Sequence, residues 1–284
     1  MNVAQQIVNG LVLGSGYACV GLGWTILLGV ARLVNFAHGQ LYMLGAFVTW
    51  YAMTKAGLPY PLAILAAIIA LGLLGALMQT AMMRLVMTQN LTSLMIVTLG
   101  FGYVLQGGSA LIFGGNPQTL PGTLARAKVD LGSLWFTWQD VLVFAATLLL
   151  YGAVWLFTQR TRYGSVIRAV AEDPKLAELF GINAKLIYLF VFVFECAAVA
   201  LGAALVAPRS PILTSMGFNE VIMTFVVVVL GGIGSITGAL VAGLGLGLFI
   251  AFFGAFVAQA YTTAAAFALL LILLVIRPAG LAAK

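Results

Sequence analysis

The chain of 284 residues is 63% hydrophobic and 7% charged, against roughly 45–50% and about 25% in an ordinary soluble domain. That balance excludes a soluble globular protein and indicates an integral membrane protein, because about 20 apolar residues in a helix span the roughly 30 Å hydrocarbon core. In such a protein a net charge of +6 first reports cytoplasmic loops rather than nucleic acid.

Residues 1–6 lack the positive n-region of a signal peptide, so the first apolar run is expected to be retained as a membrane helix. Apolar runs then cover 7–30, 35–54, 60–83, 91–114, 137–158, 186–208, 218–233, 236–257 and 261–276. Seven are long enough to cross, while 218–233 and 261–276 are short. The fold class read from this is an all-α polytopic transmembrane bundle of eight or nine segments, one or more short or broken, in a single domain over 1–284.

On the first run Gly10, Gly14 and Ala18 stand four apart, as do Ala239, Gly243 and Gly247 on the eighth. Small residues at this spacing let helix backbones approach closely in lipid, and packing is the expected role. Cys19 and Cys196 both fall inside predicted spans and read as reduced packing residues.

Between the first two spans lies Leu33-Val-Asn-Phe-Ala-His-Gly-Gln40, with the only histidine of the chain. No second histidine, cysteine or acid nearby in sequence completes a metal or acid/base set. Asn35 is a plausible N-cap for the second span, His38 falls in its first turn and Gly39 permits close approach by a neighbouring helix. The stretch is either a structural helix start or a polar gate that moves.

The segment at about 158–186 holds Arg160, Arg162, Arg168, Lys175 and Lys185, five of the thirteen basic residues, which places it in the cytoplasm. With nine crossings the N-terminus is outside. Arg32, Arg84, Arg277 and Lys284 then join the inner face, leaving Lys55, Arg126, Lys128 and Arg209 outside. Within the loop Asp173 can cap a helix that starts at Pro174, and Gly181 can end it in the left-handed conformation after about two turns. Leu176, Leu179 and Phe180 form one apolar edge of that helix, away from Lys175 and Glu178. Such an edge needs lipid, its own bundle or another protein to cover it, and another protein is the favoured partner.

Glu195 lies about ten residues into the sixth span, where a carboxylate costs roughly 2.5–3.5 kcal/mol unless it meets a partner or a wet cavity. A helix-to-helix hydrogen bond and a place on the transport path are both open. Arg209 and Glu220 flank the next crossing on the outer side, as solvated span ends, an internal ion pair or an entrance for substrate and its carrier. Gly231-Gly-Ile-Gly-Ser235 joins the short seventh span to the eighth. Gly231, Gly232, Gly234 and Ser235 make either a tight interhelical turn or a broken helix lining a cavity.

No G-x-x-x-x-G-K-[ST] phosphate loop, H-E-x-x-H, C-x-x-C or G-x-S-x-G occurs, which disfavours an ATPase, an intramembrane protease or a haem protein. Four stretches in order do carry a resemblance: Asn35-Phe-Ala-His-Gly39, Arg168-Ala-Val-Ala-Glu-Asp173 with Gly181-Ile182, Val227 to Ala239, and Arg277-Pro-Ala-Gly-Leu281. Over nearly its full length the chain resembles the permease subunits of branched-chain amino acid ABC importers. The resemblance implies a non-enzymatic subunit of a bacterial inner membrane, paired with a second permease. It further implies two cytoplasmic ATPase subunits that carry ATP and Mg, and a periplasmic substrate-binding protein. Residues 168–182 would then hold the coupling helix that meets an ATPase, with no cofactor on this chain. A stand-alone secondary transporter coupled to an ion gradient through Glu195, or a non-transporting membrane anchor, are the competing classes.

Overall fold

The computed structural model describes residues 3–86, 91–121, 127–130, 132, 134–277 and 280–281. Arg126, Lys284 and the side chain of Arg84, assigned to one face or the other by charge, lie outside the described residues.

All nine apolar runs form helices. They are α1 (Val3–Ala31), α2 (His38–Thr54), α3 (Tyr60–Val86), α4 (Leu91–Phe113) and α5 (Trp138–Arg160), then α8 (Ala184–Val206), α9 (Met216–Gly231), α10 (Ile236–Phe253) and α11 (Thr262–Ile276). Two further helices, α6 (Arg162–Glu172) and α7 (Pro174–Leu179), occupy the basic loop. Among the described residues six helical stretches are long and apolar enough to cross a membrane, one of them the run Ile236–Ile276. That run carries a π turn at Gly254–Ala258 and a 3-10 turn at Gln259–Tyr261 between α10 and α11. The helix α9 is apolar but only 16 residues long. On the connection from α4 to α5, β1 (Lys128–Asp130) pairs antiparallel with β2 (Trp135–Thr137).

The centre of the bundle is α1. It is apolar all round, with residues of every face buried, as a helix enclosed by other helices must be. Its most extensive contact is with α10, followed by α8. The two small-residue stripes are opposite sides of one interface. A Cβ on Gly14 would lie 2.6 Å from the Gly243 carbonyl oxygen and 2.8 Å from Leu244 Cα, and one on Gly243 would lie 2.7 Å from Ala18 Cβ. Backbone thus packs on backbone, where lipid gives apolar side chains no advantage in associating. Cys19 and Cys196 are buried free thiols. The helices α3, α4 and α5 present apolar side chains outward, among them Leu77, Leu111 and Leu149, as lipid-facing surfaces do.

The bundle has two ends with different contacts. At one end Gln5 clasps the Trp135 backbone through two hydrogen bonds of 2.9 Å, Gln118 and Ile212 pair by backbone, and the Tyr60 hydroxyl donates to the Ala204 carbonyl. Residues that end up at the other end are Gly29, the turn at Gly231–Ser235, Gly280 and α6. Arg32 has φ of 52°, a left-handed conformation rare outside glycine, where α1 stops and the chain reverses.

Candidate functional site

The residues between α1 and α2 do not cross to the far side before the next helix begins. Leu33, Asn35 and Ala37 are fully or nearly fully buried, and His38 opens α2 beside Trp24, two turns before α1 ends. Eight residues separate Trp24 from Arg32, about 12 Å along a helix, so α2 starts deep within the bundle. Non-helical backbone at such depth is tolerated only where protein covers it or it lines a cavity; here Leu33, Asn35 and Ala37 are covered while Phe36 stays 40% exposed.

At this point three polar side chains converge. The Asn35 Nδ2 donates to both carboxylate oxygens of Glu195 at 3.1 Å, and His38 Nδ1 lies 2.9 Å from Glu195 Oε1. All three residues are 0% exposed. The Trp24 indole stacks on the His38 ring, with centroids 4.7 Å apart, and its other neighbour is Phe225 of α9. The carboxylate of α8 therefore has donors from the α1–α2 break, which is how a charge becomes tolerable away from water. Glu195 makes the hydrogen bonds between elements that one of its two readings requires.

The role expected of Asn35 needs correction. The N-cap position of α2 is Ala37, with no side-chain cap. Asn35 Oδ1 instead accepts from the Ala37 N–H in a local turn at 3.0 Å, which leaves its amide free to donate to Glu195. A second tie holds the break: the Phe36 N–H donates to Thr98 Oγ1 of α4 at 3.1 Å. His38 does fall in the first turn, as expected. Gly39 does permit close approach, because any Cβ there would overlap the carbonyl oxygen of Gly217 in α9.

Gly231–Ser235 forms a tight turn. Gly232 and Gly234 have φ of 92° and 80°, and Ser235 caps α10 by accepting from the Gly238 N–H. One other sequence motif, the terminal stretch from Arg277 to Leu281, closes on this turn. The Leu281 N–H donates to the Leu230 carbonyl at 2.8 Å, and a Cβ on Gly280 would come within 2.6 Å of Gly232 Cα. Pro278 and Ala279 of that terminal motif lie outside the described residues.

The two outer-side candidates do not pair with each other. Arg209 Nε forms an ion pair with Asp140 Oδ1 at 3.1 Å, while Glu220 sits half-buried one turn into α9. Asp140 is a residue the sequence reading passed over. Its signal was the spacing Thr137-x-x-Asp140, a capping box in which each side chain accepts the other residue's N–H. Replacing Arg209 with Ala removes a partly solvated pair and is expected to cost less than about 1 kcal/mol. Asp140→Ala also removes a cap and is expected to cost about 1–2 kcal/mol. Thermal melts of the two purified variants in detergent check the order, and equal losses would assign the cap no weight.

The basic loop is more ordered than one short helix. Thr161 caps α6 by accepting from the Gly164 N–H, and α6 buries Ile167 and Val170. Arg168 donates to the Thr158 carbonyl and to Ser165 Oγ, 3.1 Å away for the latter. Asp173 then caps α7 by accepting from Lys175 and Leu176, Pro174 stands first, and Gly181 takes φ of 79°. Ala177 is buried against the bundle, whereas Leu176, Leu179 and Phe180 are 52%, 82% and 79% exposed. An apolar edge so open at the end of a membrane protein is a surface awaiting a cover.

Residues 6–276 match the family described as the branched-chain amino acid transport system permease component. The chain belongs to this family. It is 33% identical to the high-affinity branched-chain amino acid transport system permease protein BraD of Pseudomonas aeruginosa, over 98% of this chain and 94% of the relative. With the corresponding permease protein LivH of Escherichia coli it shares 31% identity over the same proportions. Among solved structures, PsaBC from Streptococcus pneumoniae in complex with Fab shares the fold, with a TM-score of 0.52 and 17% identity over 97% of this chain and 91% of that one. The permease is therefore a multi-pass membrane transport protein, and the stand-alone transporter coupled through Glu195 is not favoured. Among the described residues no group of acidic, cysteine or histidine side chains could hold a metal ion.

Proposed function

We propose that this permease is one of two transmembrane subunits of an ATP-driven importer in a bacterial inner membrane. It passes branched-chain amino acids or related small polar compounds from a periplasmic binding protein to the cytoplasm by alternating access. The observation that carries this reading is the family match across residues 6–276, in a chain without a phosphate loop. The permease itself is not an enzyme; ATP and Mg belong to two cytoplasmic ATPase subunits. The basic end with α6 and α7 faces the cytoplasm, and the end with β1, β2, Arg209 and Glu220 faces the binding protein.

The docking element is α7. Arg168 fixes α6 to the end of α5, Asp173, Pro174 and Gly181 set the ends of α7, and Leu176, Leu179 and Phe180 supply the apolar face. A rigid helix pair transmits a push from ATP binding into α5 and α8. Within the membrane, Asn35, His38 and Glu195 act as a polar lock that holds the start of α2 on α8. Gly39 and the turn Gly231–Ser235 are the close backbone contacts about which α2, α9 and α10 move.

The test is uptake by vesicles containing this permease with its second permease and ATPase subunits, given the binding protein and labelled leucine. ATP-dependent accumulation supports the reading; accumulation by the purified permease alone under a proton gradient contradicts it. Paired Leu179→Asp and Phe180→Asp changes are expected to abolish co-purification of the ATPase at least tenfold while membrane insertion stays normal. Undiminished co-purification would move the docking site away from α7.

A further inference from the structure

An apolar groove runs along the outside of α5 and α8 and under α6, and neither the transport reading nor the polar lock uses it. Its deeper half, about 380 Å³, is lined by Ile26, Leu150, Val154 and Phe194. Its other half, about 520 Å³, is lined by Tyr163, Ile182 and Leu186. Phe157, Ile167 and Phe190 belong to both halves, so the groove is continuous. From Leu150 to Thr158 on α5 it follows eight residues, about 12 Å along the helix.

The mouth of the groove has the opposite character. Arg160, Arg162, Arg168 and Lys185 are all exposed and, although none lines the groove itself, each lies within two residues in sequence of a lining residue, Thr158, Tyr163, Ile167 or Leu186. Arg168 is held in place, because its guanidinium donates to the carbonyl of Thr158, itself a lining residue. Its other partner, Ser165, is neutral, and among the described residues the close ion pairs do not include Arg168. No acidic side chain lines either half; Glu172, Asp173 and Glu178 lie further along, on the last turn of α6 and on α7. Tyr163, 72% exposed and stacked on Phe157, sits where the apolar lining gives way to the basic rim. That is the position an amphipathic ring takes at a membrane surface.

From this arrangement we infer that the groove is a binding site for an anionic phospholipid of the cytoplasmic leaflet. One acyl chain lies between α5 and α8, and the phosphate meets Arg160, Arg162, Arg168 and Lys185. Charge complementarity selects the occupant: an apolar slot along α5 ending beside four cations fits a lipid with a negative headgroup, whereas a neighbouring protein helix would leave the cations unpaired. A zwitterionic lipid fills the slot but gains less at the rim. The site also joins lipid to mechanism, since α6 roofs the groove and carries α7.

The experiment uses the assembled transporter, purified from bacterial membranes in mild detergent, with bound phospholipid counted by mass spectrometry. Phosphatidylglycerol or cardiolipin is expected at severalfold its share of the source membrane. Combined Arg160→Gln, Arg162→Gln and Lys185→Gln changes, at exposed positions that leave folding intact, are expected to return the ratio to the membrane's own while total lipid is retained. Ala153→Phe, which narrows the slot, is expected to lower total retained lipid. A photo-crosslinking residue at Phe190 is expected to label phospholipid. Wild-type lipid at bulk composition, enrichment that survives the triple change, or Phe190 labelling of the second permease would each overturn the site. The inference rests on the proposed orientation, and because lipid is counted without transport, failure of the importer reading is seen separately in the uptake assay.

Discussion

Glu195→Ala is expected to be among the most destabilising single changes in this permease. It removes the only carboxylate from a site where Asn35 Nδ2 and His38 Nδ1 both point at it, at 3.1 and 2.9 Å, with all three residues sealed from solvent. Three interhelical hydrogen bonds at roughly 0.6–1.7 kcal/mol each put the loss at about 2–5 kcal/mol, and the lower end applies if the separated helices find other partners in the bilayer. Glu195→Gln keeps the shape and one acceptor but turns an amide N–H toward donors, so an intermediate loss is expected. The pair can be isolated by a cycle with His38→Ala: the two single losses are expected to exceed their share of the double loss by about 0.5–3 kcal/mol. Thermal unfolding in detergent measures all four proteins. Strict additivity would remove the lock, and so would full stability of Glu195→Ala.

The same variants bear on mechanism. If the lock must open for α2 to move, Glu195→Gln changes uptake rate at a given ATP level; if it only packs, uptake per folded transporter stays constant while stability falls. Normalising uptake to folded complex distinguishes the two.

Gly14→Val is the second large effect. Its Cβ would sit 2.6 Å from a carbonyl oxygen of α10 and 2.8 Å from a Cα, and neither can rotate aside as a side chain can. The two helices must separate along their whole contact, which forfeits the dispersion and close packing that hold helices together in lipid. A loss of about 3 kcal/mol or more is expected, at or beyond the upper range for overpacking in cores. Gly245→Ala on α10, the partner helix, is the control, because nothing lies within 4 Å of the Cβ it adds. Comparable yields and melting temperatures for Gly14→Val and Gly245→Ala would show that the backbone contact carries no weight.

How much of this could be read from the sequence depends on how far apart the interacting residues lie. The α7 cap was legible because Asp173, Pro174 and Gly181 act within one helix and its ends. By the same chemistry Thr161 with Gly164 announces α6, and Thr137 with Asp140 announces α5. The small-residue stripes were legible as packing surfaces but not as each other's partners, since a stripe records that something approaches and not what. Asn35 misled because asparagine can satisfy several local N–H groups, and here a turn at Ala37 won over a cap on α2.

Composition and local chemistry, then, determined the class of molecule, its membrane helices and the short capped helix of the basic loop, and the four ordered motifs determined the family. Only the tertiary structure decided what the single histidine meets. His38 and Glu195 are 157 positions apart, and no rule of spacing joins them. They meet because α1, α2 and α8 pack closely enough to bury both, and burial without water leaves each polar group to take whatever partner the packing supplies.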